Sequence, residues 1–134
     1  MTDIDKFKRF NDDFGHLVGD SVLRYFTSII KKGKKDNETI CRYGGEEFAI
    51  IIADSDSKSV QQRAEEIRVS IESAKLKRKG STKELGKITA SFGVSTYRGD
   101  SETINDFIKR ADDALYLAKN SGRNNVKNEA DLPS

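Results

Sequence analysis

The run Arg42-Tyr43-Gly44-Gly45-Glu46-Glu47-Phe48, continued by Ala49-Ile50-Ile51-Ile52-Ala53, restricts this chain more than any other stretch. Two consecutive glycines, lacking Cβ, accept the positive φ that a two-residue primed hairpin turn demands. The spacing predicts a turn at Gly44-Gly45, a strand over Ile40 to Tyr43 before it and a strand over Phe48 to Ala53 after it. The second strand is apolar on both alternating sets, the pattern of a strand covered on both faces. Two adjacent acids stand at its mouth. A buried carboxylate must be hydrogen-bonded, paired with charge or bound to metal; left in the turn, Glu46 and Glu47 would be solvated.

Helical and extended patterns alternate through the rest of the chain. Phe7, Phe10 and Phe14 fall on one face of a short helix. Asp3 and Asp5, two apart, share one side of an extended segment. That suits an oxygen-lined cation site, and equally two exposed acids capping the helix that follows. A turn over Gly15 to Asp20 leads into a helix from Asp20 to Lys32, with Val22, Leu23, Phe26, Ile29 and Ile30 as its apolar stripe. His16, the single histidine, excludes a histidine-rich metal site and reads as a hydrogen-bonded turn residue.

A third helix, over Ser57 to Ala74, carries Val60, Ala64, Ile67 and Ile71. A basic loop from Lys75 to Lys87 leads to a strand over Ile88 to Tyr97, with Ile88, Ala90, Phe92 and Val94 on its core face. Gly93 marks a bend or a close approach there. Thr103 caps the last long helix, whose stripe is Ile104, Phe107, Ile108, Ala111, Ala114, Leu115 and Ala118, and Ser121-Gly122 ends it. Asn125 to Lys127 forms a final strand. The order implies an α/β (α+β) sandwich, helices against a sheet with antiparallel pairs. One domain covers residues 1–127, and residues 128–134 form a disordered tail.

Composition narrows the function classes. No apolar run is long enough to cross a bilayer, and the start lacks the order of a signal peptide. The single cysteine, Cys41, excludes an internal disulfide and suits a reducing cytoplasm. The net charge of +2 argues for no nucleic-acid partner. The basic clusters at Lys31 to Lys35 and Lys75 to Lys79 each follow a helix, where the dipole favours cations, and carry no interleaved aromatics.

Taken together, Asp3-Ile4-Asp5-Lys6-Phe7-Lys8, Asn11-Asp12, Phe14-Gly15-His16, Gly19-Asp20, the hairpin run, Ser91 to Ser95, and Ala111-Asp112 through Gly122-Arg123-Asn124 resemble the GGDEF family of diguanylate cyclases. The matches follow the family's order over nearly the whole chain. The resemblance implies a palm-like nucleotidyl-cyclase sheet and the joining of two GTP head to tail into cyclic di-GMP, with release of pyrophosphate. Each domain would hold one GTP, so catalysis implies a homodimer.

By position, Asp3 and Glu46 match acidic magnesium ligands, with manganese as the alternative ion and the Ile4 carbonyl as a backbone ligand. Asn11 and Asp20 match the guanine-reading pair: an amide can donate and accept, and a carboxylate accepts from N1–H and the exocyclic amine. Lys8, Lys119 and Arg123 match the triphosphate contacts. Gly44 and Gly45 let GTP lie close to the backbone. Glu47 joins Asp3 and Glu46 as a catalytic residue in a supporting part, at the attacking hydroxyl or a second metal. Attack of a 3′-hydroxyl on an α-phosphate needs positioning, charge neutralisation and a metal, and magnesium takes oxygen ligands.

Two departures stand out. The family's lead-in helix and turn are absent, which implies an excised catalytic domain whose regulatory sensor and dimerising linker belong to a longer parent. The family's product-inhibition motif, Arg-x-x-Asp, reads Lys35-Asp36-Asn37-Glu38, and lysine lacks arginine's planar bidentate fork. Feedback through that site is expected to be weak or absent. A non-catalytic module that binds GTP or cyclic di-GMP as a signal is the alternative function.

Overall fold

The computed structural model describes residues 1–74 and 86–133. In chain order the elements are β1 (Thr2–Ile4), α1 (Phe7–Phe14), α2 (His16–Lys32), β2 (Glu38–Arg42), β3 (Glu47–Ile52), α3 (Ser57–Ser73), β4 (Ala90–Val94), α4 (Ile104–Asn120) and β5 (Val126–Asn128). They build one five-stranded sheet ordered β2-β3-β1-β4-β5. β1 runs antiparallel to both its neighbours, and only β4 and β5 are parallel. The mixed α/β class expected from the helix and strand pattern is the one observed.

The two faces of the sheet are covered differently. On one, Ile4, Phe48, Ala90, Phe92 and Val94 meet the stripes of α1, α2 and α3 in a continuous core that includes Phe7, Val22, Phe26, Ile30, Ala64, Ile67 and Ile71. The Phe26 and Phe48 rings lie 5.1 Å apart in that core. On the other, α4 packs on β4 and β5 through Ala111, Ala114, Leu115 and Ala118. The small side chains let the helix backbone come close to the strand at Gly93. A reciprocal capping box between Thr103 and Asp106 starts α4, and Asp56 caps α3 by accepting from the Ser59 amide at 2.8 Å.

Several expectations need correcting. Gly44 and Gly45 do not adopt positive φ. Arg42 pairs with Phe48, leaving residues 43–47 to make a wider turn in which the amides of Tyr43 and Gly44 both donate to the Glu47 carbonyl. β3 is covered on one face only: Phe48 is 3% exposed and Ile51 53%. Alternation of apolar residues reports what could be buried on each side, and α4 lies over β4 and β5 instead. α2 starts at His16, because Gly15 alone, at φ 89°, separates it from α1. His16 is an exposed helix residue with no side-chain hydrogen bond among the described residues.

Asp5 neither caps α1 nor remains open for a cation. Its carboxylate accepts from Thr89 Oγ1, Ser91 Oγ and the Asn124 amide, and the N-cap position of α1 is Lys6. Most of the basic loop expected over Lys75 to Lys87 lies outside the described residues. Beyond residue 127, Asn128 is buried and donates to Ser57 Oγ and Gln61 Oε1, and Glu129–Asp131 form a short 3-10 turn. Among the described residues no helix is long and apolar enough to cross a membrane.

Candidate active site at the acidic hairpin

The antiparallel register sets Asp3 opposite Glu47 on one side and Ser91 on the other. Directly opposed residues on neighbouring strands point to the same face. Asp3 and Glu47 therefore share the α4 face, and Glu46, one residue earlier, stands at the strand's mouth. Asp3 is 6% exposed. One of its carboxylate oxygens, Oδ1, is buried without a hydrogen-bond partner among the described residues, and the other is paired with Lys119 Nζ from the last turn of α4. Burial raises the Asp3 pKa above its ordinary value; Lys119 opposes the rise, and Asp5 and Glu46 add to it.

Glu47 is raised as well, first by burial and then by Asp112 and Asp3. Asp112, on α4, has a buried Oδ1 with no partner among the described residues. Asp112 lies in the Ala111-Asp112 stretch that carries the resemblance, but no spacing along the chain relates it to the hairpin, so sequence reasoning alone misses it. Glu47 thus feels two further carboxylates, opposed by Lys119 and the N-terminal ammonium.

The donor set suits a hard divalent cation. Asp3 presents a buried, unpartnered oxygen; Glu46 raises its pKa from nearby; and Ile4, its side chain in the core, has only its backbone to offer. Among the described residues no three His, Cys, Asp or Glu side chains already converge as a cage. Magnesium does not require one, since it commonly takes one or two carboxylates and completes its octahedron with phosphate oxygens and water.

Arg42 is a second residue with an unforeseen part. Its Nε donates to the Gly44 and Gly45 carbonyls at 3.3 and 3.1 Å, and its Nη2 to the Gly45 carbonyl at 2.6 Å. The guanidinium braces the turn from inside. A Cβ on Gly45 would meet nothing within 4 Å, and one on Gly44 only the Glu47 side chain at 3.5 Å. Neither glycine is demanded by the fold, and the turn's outer surface is bare backbone.

On the far side of the hairpin, Asp20 is exposed near the start of α2. It lines a cleft of about 520 Å³ with Leu23, Arg24, Thr27, Arg42 and Phe48. Asn11, on α1, has its Oδ1 buried and in contact range of Gly19. Lys8 is exposed on α1. Arg123 is exposed in a left-handed turn with Asn124, at φ 62° and 47°. Asn124 fixes that turn, its amide on Asp5 and its side chain between Arg68 and Glu72 of α3. Arg123 lines a second cleft with Lys6, Arg9 and Lys87, whereas Lys119 is engaged on Asp3.

Lys35 and Glu38 are not brought together as a surface pair. Glu38 is 3% exposed, and both its carboxylate oxygens accept from Arg63 Nε at 3.1 Å, while Arg63 Nη2 donates to the Ile30 carbonyl. Lys35 is exposed.

A buried aspartate on the central strand, an acid-bearing hairpin paired beside it and a cleft that Asp20 shares with Arg42 and Phe48 of the hairpin strands fit a nucleotidyl-cyclase-like α/β domain. The chain belongs to the GGDEF domain family: the family model described as diguanylate cyclase, GGDEF domain, matches residues 1–125. Diguanylate cyclase VdcA of Vibrio cholerae is 46% identical over 127 residues, 94% of this chain and 37% of that protein. The response regulator PleD of Caulobacter vibrioides is 39% identical over 130 residues, 97% of this chain and 28% of that protein. The chain thus spans little more than a third, or less, of the curated relatives it matches. The crystal structure of the GGDEF domain of DgcB from Caulobacter crescentus in complex with c-di-GMP aligns with TM-score 0.91 at 43% identity, covering 96% of this chain and 75% of that one.

Proposed function

We propose that two copies of this domain, each holding one GTP, condense the pair into cyclic di-GMP and release pyrophosphate. The observation that carries this reading is the buried, unpartnered Asp3 oxygen beside the acidic hairpin. Asp3, Glu46 and the Ile4 carbonyl would hold magnesium, or manganese in its place. When bound, the ion neutralises charge at the α-phosphate and eases deprotonation of the attacking hydroxyl.

The protein's residues supply the rest. Asp20 accepts from guanine N1–H and the exocyclic amine, and Asn11 offers an amide to the same base. Lys8 and Arg123 balance triphosphate charge. Lys119 is the counter-ion of Asp3 in the free site and a phosphate contact in the loaded one. The bare turn at Gly44 and Gly45 lets the nucleotide lie against the backbone. Glu47, its pKa raised by burial, Asp112 and Asp3, is the better proton acceptor for it. In each half-reaction the 3′-oxygen of one GTP bonds to the α-phosphorus of the other. The bond to the β-phosphate oxygen breaks, pyrophosphate leaves and the hydroxyl proton passes to Glu47. With one nucleotide per domain, the attacking hydroxyl must come from the facing copy, in a cytoplasmic protein whose sensor domain sets the dimer.

Incubation with GTP and magnesium over a series of protein concentrations, with product identified by mass, tests this. The rate per protein molecule is expected to rise with concentration. GTP binding without product at every concentration, and in a longer parent protein, would instead support a module that reads the nucleotide as a signal. The inward pairing of Glu38 with Arg63 also favours weak feedback. Lys35→Ala is expected to leave product inhibition of turnover unchanged, and tight inhibition that the substitution abolishes would overturn this.

A further inference from the structure

Gly19 is buried near the start of α2, one residue before Asp20, and its Cα faces Asn11 of α1. A Cβ there would stand 1.7 Å from Asn11 Oδ1, 2.9 Å from its Cγ and 3.3 Å from Cζ of Phe7. The backbone at Gly19 is not left-handed, so conformation does not call for glycine. Helix propensity argues against it, since glycine ranks near the bottom of the scale and alanine at the top. Space is the remaining reason, and the space is filled first by the Asn11 amide, with the edge of the Phe7 ring next to it. Its Oδ1 is buried without a hydrogen bond among the described residues, so packing has to fix its orientation.

We propose that Gly19 is a positioning residue for guanine recognition. Its bare Cα is the seat that holds the Asn11 amide in register with the Asp20 carboxylate. This rests on the proposed reading of Asn11 and Asp20 as the base contacts. An alanine at 19 occupies the seat, and the amide must rotate out, with Phe7 closing one direction of retreat. The clashing atoms are the end of a flexible side chain, so the helix pair can stay folded while the base contact is lost.

The test is a double-mutant cycle between Gly19→Ala and Asn11→Ala. It is read by KM and kcat for cyclic di-GMP formation, by the affinities of non-hydrolysable GTP and ATP analogues, and by thermal melting. Gly19→Ala is expected to raise the KM for GTP roughly tenfold, the effect of one lost base hydrogen bond. The kcat should be nearly unchanged, the preference for GTP over ATP reduced and the melting temperature kept. In the Asn11→Ala background there is no amide to displace, and Gly19→Ala should add nothing.

Equal losses in both backgrounds, or a Gly19→Ala variant with parental KM beside a weakened Asn11→Ala, would overturn the seat. An Asn11→Ala variant that binds GTP like the parent would instead remove the base-reading assignment and the seat with it. If Gly19→Ala alone melts early, the double variant decides. Restored melting with the KM of Asn11→Ala supports the seat, and persistent unfolding overturns it.

Discussion

Asp3→Asn is expected to cut cyclic di-GMP formation by on the order of a thousandfold or more, the scale of losing several kcal/mol of metal-centred charge stabilisation, while the domain stays folded. The two halves of this expectation have different origins. Asparagine keeps the volume and hydrogen-bonding reach of aspartate but removes the charge that a divalent cation needs. The partner left behind, Lys119, has a side chain 36% exposed, so its ammonium can turn to water and no unpaired charge is stranded. The loss therefore falls on function.

The pH dependence separates a lost site from a damaged fold. In the folded protein the Asp3 pKa lies above its ordinary 3.8, chiefly through burial. The folded chain then holds the proton to higher pH than the unfolded chain does, and stability declines as pH rises from 3.8 through the raised value. Above that window ionised Asp3 weakens the metal-free fold. Melting in the presence of a chelator should thus place Asp3→Asn at or above the parent at neutral pH, with the difference vanishing below the unfolded pKa. Turnover retained in Asp3→Asn would break the metal assignment; melting well below the parent at neutral pH would show that the charge supports the fold.

The features legible in the sequence were those set by near neighbours. The Thr103 cap, the alternation of Ile88, Ala90, Phe92 and Val94, and the stripe Ala111, Ala114, Leu115 and Ala118 each depend on one element's own period. What stayed hidden depends on how elements meet. A glycine pair announces a turn, but Arg42 reaching back to the Gly44 and Gly45 carbonyls selects a wider one with ordinary φ. Nothing in the run Lys35 to Glu38 shows that Arg63, far along the chain on α3, pairs with Glu38 and holds it inward. The strand register is of the same kind. It sets Glu47, not Glu46, opposite Asp3, and it draws in Asp112 from α4, which no spacing along the chain relates to the hairpin. The open face of β3 follows likewise from where α4 docks, a matter its own sequence does not record.

Gly93→Ala should be the most damaging single-methyl change to stability, lowering it by about 3 kcal/mol or more and the melting temperature by on the order of 10 °C. A Cβ at this position would stand 2.1 Å from the Ala111 carbonyl oxygen, 2.2 Å from the Leu115 nitrogen and 2.8 Å from the Leu115 Cα. All three are backbone atoms of α4, and no rotamer change moves them, in contrast to the amide that meets Gly19. Relief requires the helix to lift from β4, which opens the contact made by Ala111, Ala114, Leu115 and Ala118 along its length. The same helix carries Asp112 and Lys119, so the shift also draws the ammonium from Asp3 and leaves the buried carboxylate without its counter-ion. Denaturant melts of Gly93→Ala should show a lower midpoint, and at temperatures where the variant remains folded its turnover should still be reduced. A variant with the parental midpoint would mean that α4 does not rest on the strand at this point.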